Sequence, residues 1–496
     1  MKKEKFCKAV AFACVVLLIT LSSGCSTNNT EVVQSTISED SFTIMSEPSE
    51  EEIDIITDAT SDSTDVTVST GGNTTSKPTN KSSSTTTTSQ NDLNGRIIKI
   101  GSVWGEQYDL DPGQSEYCDV YREKIKELEK KYNCTITIEK IDPDNSVSLI
   151  TNSVMADTYT YDLVEVNLPS ARNLARAQTL LDQAKLKDIN LQDPRFKQTI
   201  NECVTFNGKV YGSGYVTNSL QGVFFNKRIL QENNQPNIYQ LYENNEWTWD
   251  KFEEICKATT KISNIPANCV YGISNCTVML GMALTANAGS TVSRDSSGKY
   301  IIGMASEQGI YAMNWIRKLM FEDGVYYFTS TDYMASLNYF AGGQATFFPF
   351  YASYAQNLSN KMLDEFGFVA MPRGPAQSDC ICGQYDSNVF AIPKNVENPN
   401  EIAMVYYDLA SISSDLWEAR QDQYRCWGFD DDAIKSLNDI VSNNMRPEYS
   451  GGPDYSAFSP QMNDSVYKRS GNPASVMASV KSQFQKTTDD YYNAFN

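Results

Sequence analysis

A strand–helix–strand pattern opens the first part of this 496-residue chain that can form an apolar core. RIIKIGSVW, residues Arg96–Trp104, is a short apolar run suited to a buried strand, and TITIEKI further on alternates like a second strand. Between them, apolar residues recur at steps of four, three and four, which predicts one face of an amphipathic helix: Tyr121, Ile125, Leu128 and Tyr132. Two strands joined in this way pair in parallel with a right-handed crossover. With a third strand in YDLVEVN, Tyr161–Asn167, the pattern predicts an α/β fold whose sites lie at the carboxyl ends of strands.

The first 25 residues indicate export and attachment to a lipid. Lysines among the first eight residues precede an apolar run, Val10 to Leu21, that is shorter than the roughly 20 residues a membrane span needs. The run ends in LSSGC, which resembles a bacterial lipobox whose cysteine, here Cys25, carries diacylglycerol; Ser22 stands where leucine is usual. An ordinary cleaved signal with a chance cysteine is the alternative. We favour a signal peptide over residues 1–24 and a lipidated Cys25, which would hold the protein at the outer face of the cell membrane.

A long Ser- and Thr-rich acidic segment follows the lipobox. Residues 25–95 contain few aromatic side chains and include TTSKPTNKSSSTTTTSQ. Such a composition cannot bury enough apolar surface to offset the entropy of ordering, so we predict a disordered tether with a root-mean-square span of roughly 45 Å. The alternative, an interaction tail, is less favoured.

The composition excludes several kinds of chemistry. The chain has no histidine, so catalysis by Ser-His-Asp or Cys-His groups and histidine metal ligands are excluded, whereas carboxylate chemistry is not. A net charge of −20, from 41 basic and 61 acidic residues, argues against nucleic acid as a partner. No paired CxxC motif suggests a structural zinc, and we expect no metal and no cofactor. The cysteines beyond Cys25 are predicted to be mainly buried thiols, with one or two disulfides left open.

The folded part resembles the extracellular solute-binding proteins of bacterial ABC importers, in the group that includes maltose-binding protein. The resemblance lies in the order of five segments: FNGKVYGSGYVTNSLQGVFFNKRILQENN, TWDKFEEICKATTK, FAGGQATFF, FGFVAMPRGP and VFAIPKNVENPNEIAMVYYDLA. The chain departs from the family pattern at Ser213 or Gly214, where proline is common, and at Phe225, where tyrosine is common. Each segment is a weak signal, but their order and spacing together are a strong one.

This resemblance implies a two-lobe periplasmic-binding-protein-like fold of type II, each lobe a mainly parallel sheet flanked by helices. Residues 96–217 and 377–425 would form lobe 1, and residues 218–376 and 426–496 would form lobe 2. Crossings near 215–219 and 372–377 would be the hinge, in which Gly212, Gly214 and Gly374 could absorb the dihedral change of closure.

Two tryptophans flank a helix start in NEWTWDKFEEICKATTK. We predict that Thr248 is the N-cap and that Asp250 favours the positive end of the helix. The inward stripe would be Phe252, Ile255, Cys256 and Thr259. We therefore assign Trp247 and Trp249 to packing rather than to a ligand.

A cleft that binds sugars needs flat aromatic faces and planar carboxylates or amides. The loops that the resemblance places at the cleft supply both, and the predicted ligand-binding residues are Trp104, Glu106, Asn167, Tyr215, Ser219, Tyr351, Tyr354, Tyr385 and Asp386. A lone aromatic residue is more often part of a core, and Glu106 and Asp386 could be solvated loop charges. Tyr351 and Tyr385 are the better candidates because alternation places them at strand ends.

Two kinds of function fit these residues. The first is a lipid-anchored, monomeric, non-enzymatic receptor that captures a carbohydrate by lobe closure and delivers it to an ABC permease. The second is a surface glycosidase or lyase that uses paired carboxylates, for which Glu106, Glu165 and Asp386 are candidates. A receptor that presents its ligand to a sensor kinase would share the fold and cleft of the first.

Overall fold

The computed structural model describes residues 91–216 and 219–495, apart from the side chains of residues 106 and 107. The predicted signal peptide, Cys25 and the tether as far as residue 90 lie outside the described residues. The strands are β1 (Arg96–Ser102), β2 (Cys134–Lys140), β3 (Leu163–Asn167), β4 (Thr205–Phe206), β5 (Lys209–Val210), β6 (Gln221–Asn226), β7 (Tyr271–Asn275), β8 (Val292–Arg294), β9 (Tyr300–Ile302), β10 (Tyr326–Phe328), β11 (Ala345–Tyr351), β12 (Phe366–Val369), β13 (Cys382–Gln384), β14 (Asn388–Ala391) and β15 (Met445–Pro447).

The α-helices alternate with these strands along most of the chain. They are α1 (Glu116–Tyr132), α2 (Ser146–Met155), α3 (Leu168–Arg176), α4 (Gln198–Cys203), α5 (Lys227–Glu232), α6 (Ile238–Glu243), α7 (Trp249–Thr259), α8 (Val278–Ala288), α9 (Glu307–Arg317), α10 (Tyr333–Ala341), α11 (Ala355–Ser359), α12 (Pro399–Leu409), α13 (Ser413–Cys426), α14 (Asp431–Asp439), α15 (Ser459–Tyr467) and α16 (Pro473–Asn493). Among the described residues, no helix combines the length and the apolar character that crossing a bilayer requires.

A four-stranded sheet has the order β14–β3–β1–β2. Strand β1 is parallel to β2 and to β3, whereas β14 is antiparallel to β3. Helix α1 connects β1 to β2 and packs Leu128, which is fully buried, towards the sheet residue Ile98. The predicted strand–helix–strand unit and the predicted α/β class are therefore confirmed.

A five-stranded sheet has the order β10–β7–β11–β6–β12. Strand β7 is parallel to β10 and β11, whereas β6 is antiparallel to β11 and β12, so this sheet is evenly mixed. Its centre is a ladder of phenylalanines, in which Phe224 on β6 is the register partner of both Phe348 and Phe368. All three rings are fully buried, which accounts for the apolar sequence of these strands.

Two segments of chain run between the sheets and lie side by side. The first leaves the four-stranded sheet at Ser213, which exchanges two backbone hydrogen bonds with Phe390 of β14 (3.0 and 2.8 Å), and reaches β6 at Gln221. The second returns from β12 to β14, and Ser387 Oγ on it donates to the Val216 carbonyl of the first (3.1 Å). The predicted hinge regions fall on these two segments, while the predicted lobe boundaries stay predictions.

The glycines predicted for the hinge are required by close approach in this conformation. A Cβ on Gly212 would stand 2.5 Å from a Val389 methyl, and one on Gly214 would stand 2.7 Å from the Asn388 carbonyl oxygen. Neither separation is tolerated by real side chains, so both positions exclude larger residues even before any motion is considered.

The C-terminal helix α16 and the residues that follow it contact parts of the chain that are distant in sequence. Tyr491 Oη donates to Asn173 Oδ1 on α3 (2.8 Å), and the Phe495 ring stacks on Phe206 with centroids 3.9 Å apart. On its other side, Thr488 is hydrogen-bonded to Tyr455 (2.8 Å). This helix therefore helps to fix the position of the four-stranded sheet relative to the rest of the molecule.

Several predicted buried thiols are confirmed, and burial sets their protonation. The side chains of Cys134, Cys203, Cys256, Cys276, Cys380 and Cys382 are buried thiols. Burial raises the pKa of Cys134 to about 11 and the pKa of both Cys380 and Cys382 to about 12. These groups are protonated at neutral pH and behave as small apolar side chains rather than as nucleophiles.

The two tryptophans around Thr248 pack in the core, as predicted. Trp247 is fully buried and its indole nitrogen donates to the Ala370 carbonyl (2.8 Å), while Trp249 stacks on Trp315 with centroids 3.9 Å apart. Thr248 is the N-cap of α7, and its hydroxyl accepts from the Lys251 amide (3.3 Å). The helix start is thus held by one hydrogen bond and two large apolar contacts.

Removing the hydroxyl of Thr248 should lower the stability of the protein, whereas a substitution that keeps a hydroxyl should not. We expect Thr248→Ala to reduce the free energy of unfolding by about 1 kcal/mol, because an amide of the first turn loses its acceptor. Thr248→Ser keeps the acceptor and should cost much less. Urea unfolding followed by circular dichroism measures both, and equal losses in the two variants would contradict the assignment.

Candidate functional site

A buried carboxylate lies where the four-stranded sheet faces the crossing segments. Glu165, 1% exposed, is near the carboxyl end of β3, beside Ser102 at the end of β1. Ser102 Oγ and Asn388 Nδ2 each donate to Glu165 at 2.6 Å. Tyr108 Oη lies 3.0 and 3.1 Å from the two carboxylate oxygens and donates a third hydrogen bond. Three side chains from three elements therefore converge on one acid.

Burial dominates the titration of this acid. Burial raises the pKa of Glu165 above its ordinary value, and the hydrogen bonds from Ser102, Asn388 and Tyr108 offset part of that rise. A polar group that is so enclosed and so fully bonded organises its surroundings, because any loss of a donor leaves a buried acceptor unsatisfied.

Tyr215, a predicted ligand residue, belongs to this buried group. Its hydroxyl donates to Tyr121 Oη (3.0 Å), and the Tyr121 ring lies 4.5 Å from the Tyr108 ring, centroid to centroid. The Tyr215 ring stacks on Phe390 (5.0 Å) and is 1% exposed. In this conformation Tyr215 supports the Glu165 group, and neither face of its ring is open.

Asn167 and Asp386 both hold the beginning of α3. Asn167 Oδ1 accepts from the Ser170 amide (2.8 Å) as the N-cap, and Asp386 Oδ1 accepts from the Leu168 amide (3.1 Å) and from the Ser387 amide (2.8 Å). The structure thus brings these two predicted residues together at one helix terminus, where a carboxylate is also favoured by the helix dipole. Asp386 is 6% exposed, so it is not the solvated loop charge considered as its alternative.

Tyr385, next to Asp386, faces the other way, towards α8. Its hydroxyl donates to the Gly281 carbonyl (2.9 Å) and lies 2.7 Å from Thr285 Oγ1 and 3.2 Å from Thr291 Oγ1. A Cβ on Gly383 would stand 2.5 Å from the Tyr385 ring, so the ring is covered on that side. The Tyr385 side chain is 7% exposed and is packed between α8 and β13.

Tyr351 and Tyr354 form an aromatic group at the end of β11. The Phe350 ring lies 5.4 Å from Tyr351 and 4.6 Å from Tyr354, and Tyr333 meets Tyr354 edge to face at 5.8 Å. Tyr351 and Tyr354 are 6% and 8% exposed, and Tyr333 is half-buried. The structure brings the two predicted tyrosines together in one aromatic group, whose best-exposed ring is that of Tyr333, while their role in binding a ligand stays a prediction.

Ser219 and Trp104 complete the described residues of the predicted site. Ser219, two residues before β6, has a left-handed backbone with φ of 56°. The amide of Ala352, after β11, donates to the carbonyl of the neighbouring Leu220 (2.8 Å). A left-handed serine is uncommon, and such strain is concentrated at functional segments. Trp104 follows β1 and is half-buried, and its backbone amide donates to Ser102 Oγ (3.0 Å). The side chain of Glu106 lies outside the described residues.

The structure also identifies residues that the sequence analysis did not assign to the site. Tyr108, Ser102 and Asn388 surround Glu165, which was considered only as an acid of the alternative enzyme. One signal was visible in the sequence, since Glu165 is a single charge inside the apolar strand LVEVN. Within residues 91–216 and 219–495, no group of three or more cysteine or acidic side chains is placed to hold a metal ion.

Comparison with known proteins assigns the family. Residues 123–412, more than half of the chain, match the family described as bacterial extracellular solute-binding protein. This chain belongs to that family. Its members bind solutes and are not enzymes, so the solute-binding prediction is confirmed and the alternative of a surface glycosidase is not. The family name also places the chain outside the cytoplasm, as predicted.

Solved structures share the fold at low sequence identity. UspC of Mycobacterium tuberculosis is 12% identical with a TM-score of 0.59, over 79% of this chain and 100% of that one. A cyclic maltosyl-maltose-binding protein of Arthrobacter globiformis is 13% identical with a TM-score of 0.56, over 81% and 99%. A substrate-binding protein of Listeria monocytogenes, in complex with cycloalternan, is 16% identical with a TM-score of 0.52, over 79% and 99%. These likenesses confirm the periplasmic-binding-protein-like fold, and no curated protein matches the sequence.

The raised pKa of Glu165 predicts a specific pH dependence of stability. A carboxyl group whose pKa is raised by folding stabilises the native state below its unfolded pKa, near 4.5, and loses that contribution as pH rises through the folded pKa. We therefore expect the stability of the wild type, relative to Glu165→Gln, to fall above pH 4.5 by at most about 1.4 kcal/mol per pH unit.

Urea unfolding of both proteins between pH 4 and pH 8 measures this difference. Other titrating groups contribute equally to both curves and cancel. The same comparison with Glu448→Gln should slope in the same direction, because burial also raises the pKa of Glu448. A difference that stays flat or rises with pH would contradict the prediction.

Proposed function

We propose that this family member is a lipid-anchored receptor that captures a small carbohydrate between its two sheets and delivers it to an ABC permease. The observation that carries the proposal is the aromatic group of Tyr333, Phe350, Tyr351 and Tyr354 at the end of β11. It stands beside the crossing segment, because Ala352 donates to the Leu220 carbonyl. Aromatic rings at a strand end are suited to the apolar face of a pyranose, and tyrosine hydroxyls are suited to its hydroxyl groups.

The polar side of the proposed site comes from the predicted residues of the four-stranded sheet. Asn167 and Asp386 lie at the start of α3. Tyr215 and Ser219 belong to the part of the chain that leads from the four-stranded sheet to β6. Their side chains can take paired sugar hydroxyls once the sheets separate. Trp104, half-buried after β1, is a further ring among the predicted ligand-binding residues.

Ligand entry requires the two sheets to move apart. Tyr351, Tyr354 and Tyr385 are between 6% and 8% exposed, so a pyranose cannot reach their faces in this conformation. The two side-by-side crossing segments are the elements about which the sheets could separate, and a ligand that contacts both sides would favour closure. Relatives in fold that bind a cyclic maltosyl-maltose or cycloalternan favour a carbohydrate over a peptide.

Removing one ring should weaken binding more than removing its hydroxyl alone. Once a thermal-shift screen of mono- and oligosaccharides has found a ligand, we expect Tyr351→Ala to raise its dissociation constant at least about tenfold, because ring stacking is lost. Tyr351→Phe keeps the ring and should bind within a few-fold of the wild type. Isothermal titration calorimetry measures both affinities.

Tyr311→Ala is the control for the loss of an aromatic side chain, since Tyr311 is 54% exposed on α9. In the screen, a ligand at a hundred times its dissociation constant should stabilise the protein by about 2.7 kcal/mol. Absence of stabilisation by all saccharides, with stabilisation by peptides or inorganic ions, would exclude the carbohydrate proposal. An equal loss of saccharide affinity in Tyr311→Ala and Tyr351→Ala would show that the aromatic group does not form part of the site.

Membrane attachment through Cys25 has a separate test. We expect full-length protein expressed in a bacterial host to sediment with membranes and to incorporate labelled palmitate. Cys25→Ser should abolish labelling and release the protein into the soluble fraction, because the thiol that carries the acyl chains is gone. Membrane retention of the unlabelled variant would instead indicate an uncleaved signal segment.

A further inference from the structure

The buried acid Glu165 holds both ends of the loop that follows β1. Ser102 Oγ donates to Glu165 (2.6 Å) and also accepts from the Trp104 amide (3.0 Å). At the other end of the loop, Tyr108 Oη donates to the same carboxylate (3.0 Å to Oε2). We call this stretch, from Ser102 to Tyr108, the β1 loop. It carries Trp104 and Glu106, two of the predicted ligand-binding residues, so Glu165 fixes where the backbone of these residues lies.

The two segments that cross between the sheets are joined to the same acid. Asn388, where the returning segment enters β14, donates from Nδ2 to Glu165 Oε1 (2.6 Å). Tyr215, on the first crossing segment, donates to Tyr121 Oη (3.0 Å), whose ring lies 4.5 Å from the Tyr108 ring, centroid to centroid. One crossing segment is therefore bonded to Glu165 directly, and the other is connected to it through two tyrosines.

The burial of Glu165 makes these contacts depend on one another. Glu165 is 1% exposed, so a donor that moves away leaves a buried carboxylate oxygen with one partner fewer. Hydrogen bonds that share one buried group polarise one another, and their contributions are not additive. A displacement of the β1 loop therefore changes the free energy of the contacts that hold the crossing segments.

We propose that Glu165 is a positioning residue that couples the β1 loop to both crossing segments, so that a solute held by this loop favours one arrangement of the predicted hinge. This inference rests on the proposed function, because it takes Trp104 and Glu106 as solute contacts. Glu165 is enclosed, so it acts through its donors rather than by touching the solute. A solute shifts the balance between two arrangements only if it binds them with different affinities, and a loop tied to the hinge supplies that difference.

Hydrogen–deuterium exchange of the chain without any solute tests the coupling. Tyr108→Phe removes one donor to Glu165 and keeps the ring. We expect amide exchange to become at least about fivefold faster in the β1 loop, and at least about twofold faster in both crossing segments, at residues 213–216 and 387–390. Unchanged exchange in either crossing segment would overturn the proposal.

Tyr239→Phe is the matched control for this loss of a hydroxyl. Tyr239 Oη also donates to a carboxylate, Asp430 Oδ1 (2.8 Å), but Tyr239 lies on α6 and its ring packs on Phe225 of the five-stranded sheet (5.1 Å). We expect Tyr239→Phe to leave exchange in the β1 loop and in both crossing segments as in the wild type. An equal rise in Tyr108→Phe and Tyr239→Phe would show a general loosening of the structure and would also overturn the proposal.

Binding of maltotetraose, measured by isothermal titration calorimetry, separates this inference from the proposed function. We expect Tyr108→Phe to raise the dissociation constant of maltotetraose at least about threefold, because its β1 loop is less well ordered before binding, and Tyr239→Phe to bind like the wild type. Unchanged affinity in Tyr108→Phe would overturn the coupling and leave the carbohydrate receptor intact. Faster exchange in both crossing segments of Tyr108→Phe, with no maltotetraose bound by the wild type, would support the coupling and count against this saccharide.

Discussion

The pairing of two crossing segments is the constraint on which the rest of the structure depends. Ser213 and Phe390 exchange two backbone hydrogen bonds, and Ser387 donates to the Val216 carbonyl a few residues further along. Gln183 adds a hydrogen bond from its amide to the Phe390 carbonyl (2.9 Å). Phe390 belongs to β14, so Ser213 extends the edge of the four-stranded sheet where the first segment leaves it. The Ser387 hydroxyl then joins the returning segment to the first one, and together these bonds fix where both segments meet this sheet.

Buried carboxylates occur on both sides of these crossings. Glu165 is enclosed by side-chain donors at the four-stranded sheet, whereas Glu448 accepts from the backbone amides of Thr291, Val292 and Ser450. Burial raises the pKa of both acids, which shows that their surroundings disfavour the charged form. Each acid accepts several hydrogen bonds on one side chain, and these bonds hold loops that could otherwise adopt many conformations. Arg172, fully buried on α3, has the corresponding role as a donor. Its guanidinium donates to the backbone carbonyls of Cys203, Glu448 and Gly451.

The sequence predicts those parts of the fold that depend on neighbours in the chain. Helix α7 follows from the period of its apolar residues and from Thr248, both within a dozen positions, and the structure agrees with each. Strands β1 and β3 are recognisable for the same reason. The mixed order of the five-stranded sheet is different, because it depends on which strands meet after the chain has crossed between sheets, and no local pattern specifies that.

The same distinction explains the candidate site. The family resemblance predicts that Tyr215, Asn167 and Asp386 lie near a cleft, but it does not specify which partners their side chains have. Tyr215 bonds with Tyr121, 94 positions away, and Asp386 caps a helix 218 positions away. Such long-range partners decide whether a polar residue faces a ligand or supports the residues that do. The role of Glu165 could be suspected from one charge in an apolar strand, but its three donors come from separate elements and could not be foreseen.

Two adjacent residues on the returning segment, Tyr385 and Asp386, join helix α8 to helix α3. In extended chain, neighbouring side chains point in opposite directions, so Asp386 faces α3 while Tyr385 faces α8. A rotation of one sheet relative to the other that separates α3 from α8 would strain or break a hydrogen bond at one of these two residues. A ligand that replaces the lost bond on the opened side would stabilise the rotated state, and one that replaces none would leave it unfavourable. The atoms that select the solute would then also set the free energy difference between the open and closed states. No separate group of residues would be needed to couple binding to closure.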